Sequence, residues 1–319
     1  MAVIAYEDIA AHAADTLLPP DPEFADPYFE VEEQGRAAAK KLKVAFVAIC
    51  RNAMPFLPFT LHAIEAAGQS FADWRCFVFE NDSSDDTKSF LSAWSDGRER
   101  YVELRDYGRP HLNYTTDSCR TVPLAEYRNR CRRWVDSNAS DVDLVVVFDT
   151  DPWGGFSVGG LMNTVGWMAD KSHETTSGMA AYSWCEWGPP VWARPTVCHY
   201  DAFACRWNWW RQRRDMIWFH LWHPPVGSPP VRLNSAFGQM AVYRRASFLR
   251  GVYEGSDCEH VTFHRSMGGD FYLNPSMRCV SFWTLKDAPE DNSVHDDVHG
   301  DVDRRDADAN HRPDPENLG

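Results

Sequence analysis

Asp149-Thr150-Asp151 sets two carboxylates one residue apart, directly after Leu144-Val145-Val146-Val147-Phe148. Carboxylates at that spacing can share a hard divalent cation, and such a cation neutralises a diphosphate. The triplet alone says little, because Asp141/Asp143, Asp301/Asp303 and Asp306/Asp308 repeat it. What separates this copy is the apolar run in front of it. Five consecutive apolar residues, three of them β-branched, predict a strand buried on both faces, as in a parallel sheet covered by helices. Ligands bind such sheets beyond the carboxyl ends of the strands, so Asp149 and Asp151 are expected to project into a crevice. The plain alternative is a strand-ending turn with an Asx cap.

Two further groups carry chemistry-bearing side chains. Asp257-Cys258-Glu259-His260 and His264 share a stretch in which the histidines stand four apart, the spacing of one helix face. Glu259 precedes both histidines, so the H-E-x-x-H pattern of zinc proteases is absent. Glu80-Asn81-Asp82-Ser83-Ser84-Asp85-Asp86-Thr87 follows the apolar Cys76–Phe79, and its Asp and Ser residues suit the cap of a helix over Thr87–Trp94. Residues 184–224 are crowded with aromatics, among them Trp184, Trp187, Trp192, Trp207, Trp209, Trp210, Trp218 and Trp222. Tryptophan at that density either packs a core or offers faces for sugar rings to stack on.

Stepping outward, Lys43–Cys50 is expected as a first strand, Phe56–Ala67 as a helix, Cys76–Phe79 as a second strand and Tyr101–Leu104 as a third. This alternation predicts right-handed crossovers and an α/β fold with a mostly parallel central sheet flanked by helices. Neither G-x-G-x-x-G nor a P-loop is present. Leu124–Val135 is expected as an amphipathic helix. Leu124, Tyr127, Cys131, Trp134 and Val135 form its apolar stripe, and Arg130, Arg132 and Arg133 form a solvated face. Further strands are expected at Met179–Trp184, Met240–Tyr243, Phe271–Asn274 and Cys279–Trp283, and short helices at about Tyr6–Leu18, Val31–Leu42 and Leu161–Ala169. Pro224–Pro230 has the composition of a mobile lid.

The 319 residues divide into a helical extension at 1–42, one main domain at 43–286 and a tail at 287–319. The domain is expected in two halves, at about 43–151 and about 152–286, the first with the strand–helix alternation of a nucleotide-binding architecture. The net charge of -14 opposes a nucleic-acid or anionic-membrane partner. Much of that charge sits in the tail, where 11 acidic residues face 3 basic ones with almost no apolar residue, the composition of a disordered segment. Nine cysteines, an odd number without a C-x-x-C pair, favour reduced thiols over a disulfide framework. Without a signal-peptide pattern or an apolar run of membrane-spanning length, the chain reads as soluble and cytoplasmic.

Five stretches in order resemble nucleotide-sugar glycosyltransferases of the type A (GT-A), Rossmann-like fold. More narrowly, they resemble the fungal capsule-associated α-1,3-mannosyltransferases. The stretches are Lys43–Cys50 with Arg51-Asn52; Glu80 to Thr87; Arg120 with Leu124-Ala125-Glu126-Tyr127-Arg128-Asn129; Asp149-Thr150-Asp151; and Tyr200 to Arg206 with Asn234-Ser235-Ala236-Phe237-Gly238. The resemblance covers roughly residues 43–285. It implies a metal-dependent enzyme moving a sugar from a nucleoside diphosphate to a hydroxyl of a glycan or glycoprotein. In that reading Glu80 and Asp82 lie near the base and ribose. Arg128, and Arg120 with it, contacts the diphosphate. Asp151 binds Mn²⁺ or Mg²⁺, and Asp149 holds the ribose or the metal through water. His264 or His260 completes the metal site, and Glu259 or Asp257 is the catalytic carboxylate. Rival classes are a glycan-binding module without turnover and a sugar-nucleotide nucleotidyltransferase.

Overall fold

The computed structural model describes residues 4–5, 13–112, 115–187, 196–210, 218–281 and 285–286. The expected helix at Tyr6–Leu18 is described only as α1 (Ala13–Leu17), and Trp192, Trp283 and the acidic tail lie outside the described residues. Helix α2 (Ala25–Ala39) precedes β1 (Lys43–Cys50), α3 (Leu57–Gly68), β2 (Asp73–Asn81), α4 (Thr87–Trp94) and β3 (Arg100–Arg105). Then come α5 (Ser118–Asn138), β4 (Leu144–Asp149), α6 (Val158–Ala169), β5 (Thr176–Trp187) and β6 (Thr196–His199). The described chain continues through β7 (Val231–Leu233), β8 (Met240–Arg244), α7 (Arg245–Arg250), α8 (Glu259–Met267) and β9 (Asp270–Val280). Ile4–Ala5 and Leu285–Lys286 form a small separate parallel pair.

The sheet runs β3-β2-β1-β4-β8-β5-β9-β7, with β6 on β5. β1, β2, β3 and β4 pair in parallel, as do β5 and β9, whereas β8 lies antiparallel between β4 and β5. Alternation along β1 explains why it is apolar throughout. Ala45 and Val47 face a core shared with Tyr127, Cys131 and Val135 of α5. Val44, Phe46 and Ala48 face a second core with α3 and α6. The chain builds β1, β2 and β3 outward in one direction and then returns to place β4 on the other side of β1. The strand order reverses there, at the carboxyl ends of β1 and β4, the position at which open α/β sheets bind ligands.

Three expectations shift. The N-terminal residues are built into the body. Gly35 of α2 and Gly166 of α6 sit so close to the opposing backbone that an added Cβ would meet Met162 O at 1.8 Å and Val31 O at 2.1 Å. Asn163 Nδ2 donates to Tyr28 O, and the buried Arg278 donates to Asp15 and the Tyr28 hydroxyl. The Pro224–Pro230 loop is pinned rather than lid-like, since Asp21 N–H donates to Val226 O at 2.9 Å and Val226 and Ser228 are buried. Phe271–Asn274 and Cys279–Val280 belong to one strand, β9, whose register against β5 shifts between Leu273 and Arg278, around Pro275. No described helix is long and apolar enough to cross a membrane.

Candidate functional site

The register of the parallel strands assembles the site. Glu80 pairs with Cys50, and Asp149 pairs with Ile49, so both acids end strands that flank β1. Three non-glycine residues take the left-handed backbone conformation at this same edge. They are Asn52 (φ 47°) after β1, Asp82 (φ 54°) after β2 and Gln239 (φ 64°) before β8. Held strain of this kind concentrates at working sites, because surrounding contacts must enforce it. The contacts here are explicit. Asn52 N–H donates to Ser83 Oγ at 2.9 Å, and Asn52 Oδ1 accepts from Ser84 N–H at 2.8 Å. Gln239 O accepts from Asp149 N–H at 2.8 Å.

Glu80 is fully buried. Its Oε1 accepts from Ser83 N–H at 2.7 Å, and its Oε2 has no hydrogen-bond partner. Asp82 Oδ1 accepts from the backbone of Tyr107 and Gly108 at 2.6 and 2.8 Å. Burial raises the Asp82 carboxyl, but hydrogen bonds from Asn81 and the backbone of Gly108, Tyr107 and Arg109 outweigh it and hold it below its ordinary range. Asp82 thus ties the ends of β2 and β3 together.

Arg128 is the centre of charge. On α5 it points inward, 5% exposed, where sequence alternation alone would leave an arginine in solvent. Its Nε donates to Glu259 Oε1 at 3.0 Å and its Nη2 to Asp149 Oδ1 at 3.1 Å, while its guanidinium lies 4.9 Å from the Phe237 ring centre. Its Nη1 is buried with no hydrogen-bond partner. Burial works against its charge, but Asp149 and Glu259 raise its affinity for the proton. Asp149 is pushed up to about 6, first by burial and also by the Asp151 charge, against the pull of Arg128. Asp151 is exposed, and crowding by surrounding protein moves its carboxyl upward while Arg120 and Arg128 oppose the shift. Asp201 joins this group. Burial and then the Asp149 charge push its carboxyl up to about 7, and its Oδ2 accepts from Gly238 N–H at 3.1 Å. It was not among the expected site residues, although it stands in the Tyr200–Arg206 stretch. No periodicity or spacing marks a lone Asp between apolar neighbours.

The remaining candidates fall elsewhere. His264 is buried, with Nδ1 at 2.8 Å from Ser235 Oγ and Nε2 at 2.9 Å from the Tyr243 hydroxyl. Both ring nitrogens are spent on those hydroxyls, so His264 has none to offer a metal. Burial holds its pKa at about 3. His260 is stacked on Phe237 at 3.6 Å between ring centres and is likewise enclosed. Asp257 Oδ1 accepts from Arg206 Nη2 at 3.1 Å and from Cys258 N–H at 2.7 Å. Glu259, 5% exposed, is committed to Arg128. A general base must reach the proton it removes, and Glu259 Oε1 is taken up by the bond from Arg128 Nε. Among the described residues no group of three or more His, Cys, Asp and Glu side chains is arranged to hold a metal. The two strand-end carboxylates are hard oxygen donors of the kind Mg²⁺ and Mn²⁺ prefer. Two of them suffice where substrate phosphates and water fill the other positions.

A cavity of about 560 Å³ lies at the other edge of the sheet, lined by Lys41, Asp143, Leu144 and Arg245 at the amino ends of β1 and β4. None of the carboxylates above borders it.

No protein-family model and no curated protein sequence matches the chain. Among solved structures it is similar to GalNAc-T7 with UDP, GalNAc and Mn²⁺, at a TM-score of 0.49 and 14% identity, over 84% of this chain and 54% of that one. It is also similar to the mannosyltransferase PcManGT from Pyrobaculum calidifontis in complex with GDP-Man and Mn²⁺, at 0.43 and 14%, over 90% and 70%. A third is S. aureus TarS 1-349 in complex with UDP-GlcNAc, at 0.43 and 12%, over 79% and 61%. The chain spans about half the length of the first of these.

Proposed function

We propose that the chain is a metal-dependent glycosyltransferase of the GT-A type, which moves a sugar from a nucleoside diphosphate to a hydroxyl of a glycan or glycoprotein. The observation that carries this reading is the placement of Asp149 and Asp151 at the carboxyl end of β4, where the strand order reverses, beside a buried arginine with an unpaired donor. In this reading Asp151, with Asp149, holds Mn²⁺ or Mg²⁺, which supplies Lewis-acid stabilisation of the departing diphosphate. Arg128 Nη1 donates to a diphosphate oxygen, and Arg120 adds positive charge on the Asp151 side. The unpaired Glu80 Oε2 accepts from the nucleoside. Asp201 takes over the acid–base role first expected of Glu259 or Asp257, since a carboxyl near 7 can both accept and return a proton at neutral pH. A mannosyl donor is the finer form of the reading, supported by the resemblance of the five sequence stretches.

Release of UDP or GDP from a panel of nucleotide sugars, with Mn²⁺ and with Mg²⁺, tests it. Turnover of one donor that is lost in Asp151→Ala and reduced at least 100-fold in Asp201→Asn supports the assignment. Turnover unchanged in Asp151→Ala refutes it. The exposure of Trp207 (61%), Trp210 (79%) and Trp218 (53%) favours a second reading, a glycan-binding surface without turnover. Glycan binding lost on removing these tryptophans, with no donor turned over, would select that reading.

A further inference from the structure

We propose that Cys185 and Cys198 are a modification site, closing into a reversible cross-strand disulfide when the protein meets an oxidised low-molecular-weight disulfide. They are direct register partners on antiparallel β5 and β6, and their sulfurs stand 3.3 Å apart. Both side chains are buried and face each other, so bonding needs only the closure of the sulfurs to about 2.0 Å. The surroundings favour reaction at Cys198. Hydrogen bonding from the Cys185 thiol, and then from His220, lowers its pKa and favours the thiolate that thiol–disulfide exchange requires. His220 is itself held, its Nδ1 at 2.9 Å from His199 O.

The exchange runs in two displacements. The Cys198 thiolate attacks one sulfur of the reagent, which releases one thiolate and leaves a mixed disulfide on Cys198. The Cys185 thiol then passes its proton to the reagent thiolate released in the first step, and its sulfur attacks the Cys198 sulfur and expels the second reagent sulfur as a thiolate that water protonates. The protein loses two protons and two electrons, and the reagent is reduced to two thiols. The bond would clamp an edge strand that, among the described strands, pairs with β5 alone. That strand leads within three residues to Asp201, whose N–H donates to Ser183 Oγ at 3.2 Å. Oxidation therefore stiffens the segment that delivers Asp201 to the carboxylate cluster.

The test uses a Cys119→Ser protein, because Cys119 is exposed and would otherwise cross-link molecules. The protein is exposed to oxidised glutathione, alkylated in denaturant and cleaved at Glu186, which separates the two cysteines. The expected result is one disulfide joining the Cys185 and Cys198 peptides and the loss of two alkylatable thiols. The melting temperature should rise by about 5 °C and return with dithiothreitol, as expected for closing a loop of this length. Cys185→Ala should show neither change. Full alkylation of the eight cysteines left from nine, or a glutathione adduct that persists on Cys198 with Cys185 free, would overturn the proposal. The peptide readout is made on the Cys119→Ser protein itself and does not depend on whether Cys185→Ala folds.

Discussion

The carboxyl edge of β4 and the helix α8 offer the same kind of side chains in opposite circumstances. At the strand end, Asp151 is exposed and Asp149 is 23% exposed, crowded by like charge and answered by a single buried arginine. On α8, His260 and His264 are 2% exposed, and the hydroxyls of Ser235 and Tyr243 consume both nitrogens of His264. Spacing nominates residues in both regions. Partners and exposure then decide which can meet a ligand. The first region carries unsatisfied charge, which favours a cation and a diphosphate. In the second, His264 is satisfied within the protein, whereas the enclosed His260 has no hydrogen-bond partner on either ring nitrogen and is held by stacking on Phe237.

That contrast breaks most sharply at Arg128, the residue common to both regions. Arg128→Ala leaves Asp149 and Glu259 facing each other without their counter-charge. It should cost about 3–5 kcal/mol in urea unfolding, because removing one partner of a buried ion pair strands the other. A loss below about 1 kcal/mol would mean that the guanidinium is not the hub described here.

His264→Ala should cost about 2–3 kcal/mol, from two stranded hydroxyls and a small cavity, and should leave nucleotide binding intact. A variant that folds normally and loses metal-dependent binding would restore His264 as a ligand. The buried histidines also set an acid response. His199 and His264 are both held at about 3, below the ordinary 6.5, chiefly by burial. The unfolded chain therefore binds the proton first. Their contribution to stability is complete above pH 6.5 and is lost as the pH falls from there towards 3, by about 1.4 kcal/mol per unit for each histidine. Asp149 and Asp201, raised to about 6 and about 7, gain stability over the same range, so the histidine share is read as a difference. The gap in unfolding free energy between wild type and His264→Ala should narrow by about 1.4 kcal/mol per unit from pH 6.5 to pH 4.5, and a constant gap would show that this ring is not enclosed.

At the strand end the ranking inverts. Asp151→Ala should change stability by no more than about 0.5 kcal/mol, since its side chain is exposed and holds nothing in place. Its whole effect should appear in ligand binding.

The sequence carried the parallel half of the fold well. β1 at Lys43–Cys50 and α4 at Thr87–Trp94 fall where the apolar run and the Asp-Ser cap put them, because local pattern and tertiary burial agree there. Helix α5 begins six residues earlier than Leu124, since Pro123 inside it imitates a first turn. Arg128 was legible only as a candidate. An arginine on a helix is ordinarily solvated, and its burial depends on Asp149 and Glu259, which are 21 and 131 residues away in the chain. Asp201 was missed for the same reason, as its environment is made by Asp149 and Gly238. His264 is nominated by helical spacing, which fixes a face without revealing that Ser235 and Tyr243 occupy it.

The central claim rests on the carboxylate pair, and calorimetric titration with UDP, GDP and their sugars, with and without Mn²⁺, tests it on the wild type and on Asp151→Ala. The account predicts that one nucleotide binds at micromolar affinity or better only when the metal is present, and that Asp151→Ala, folded and equally stable, binds none. Nucleotide binding that ignores both the metal and Asp151, or no binding by the wild type with metal present, would contradict it.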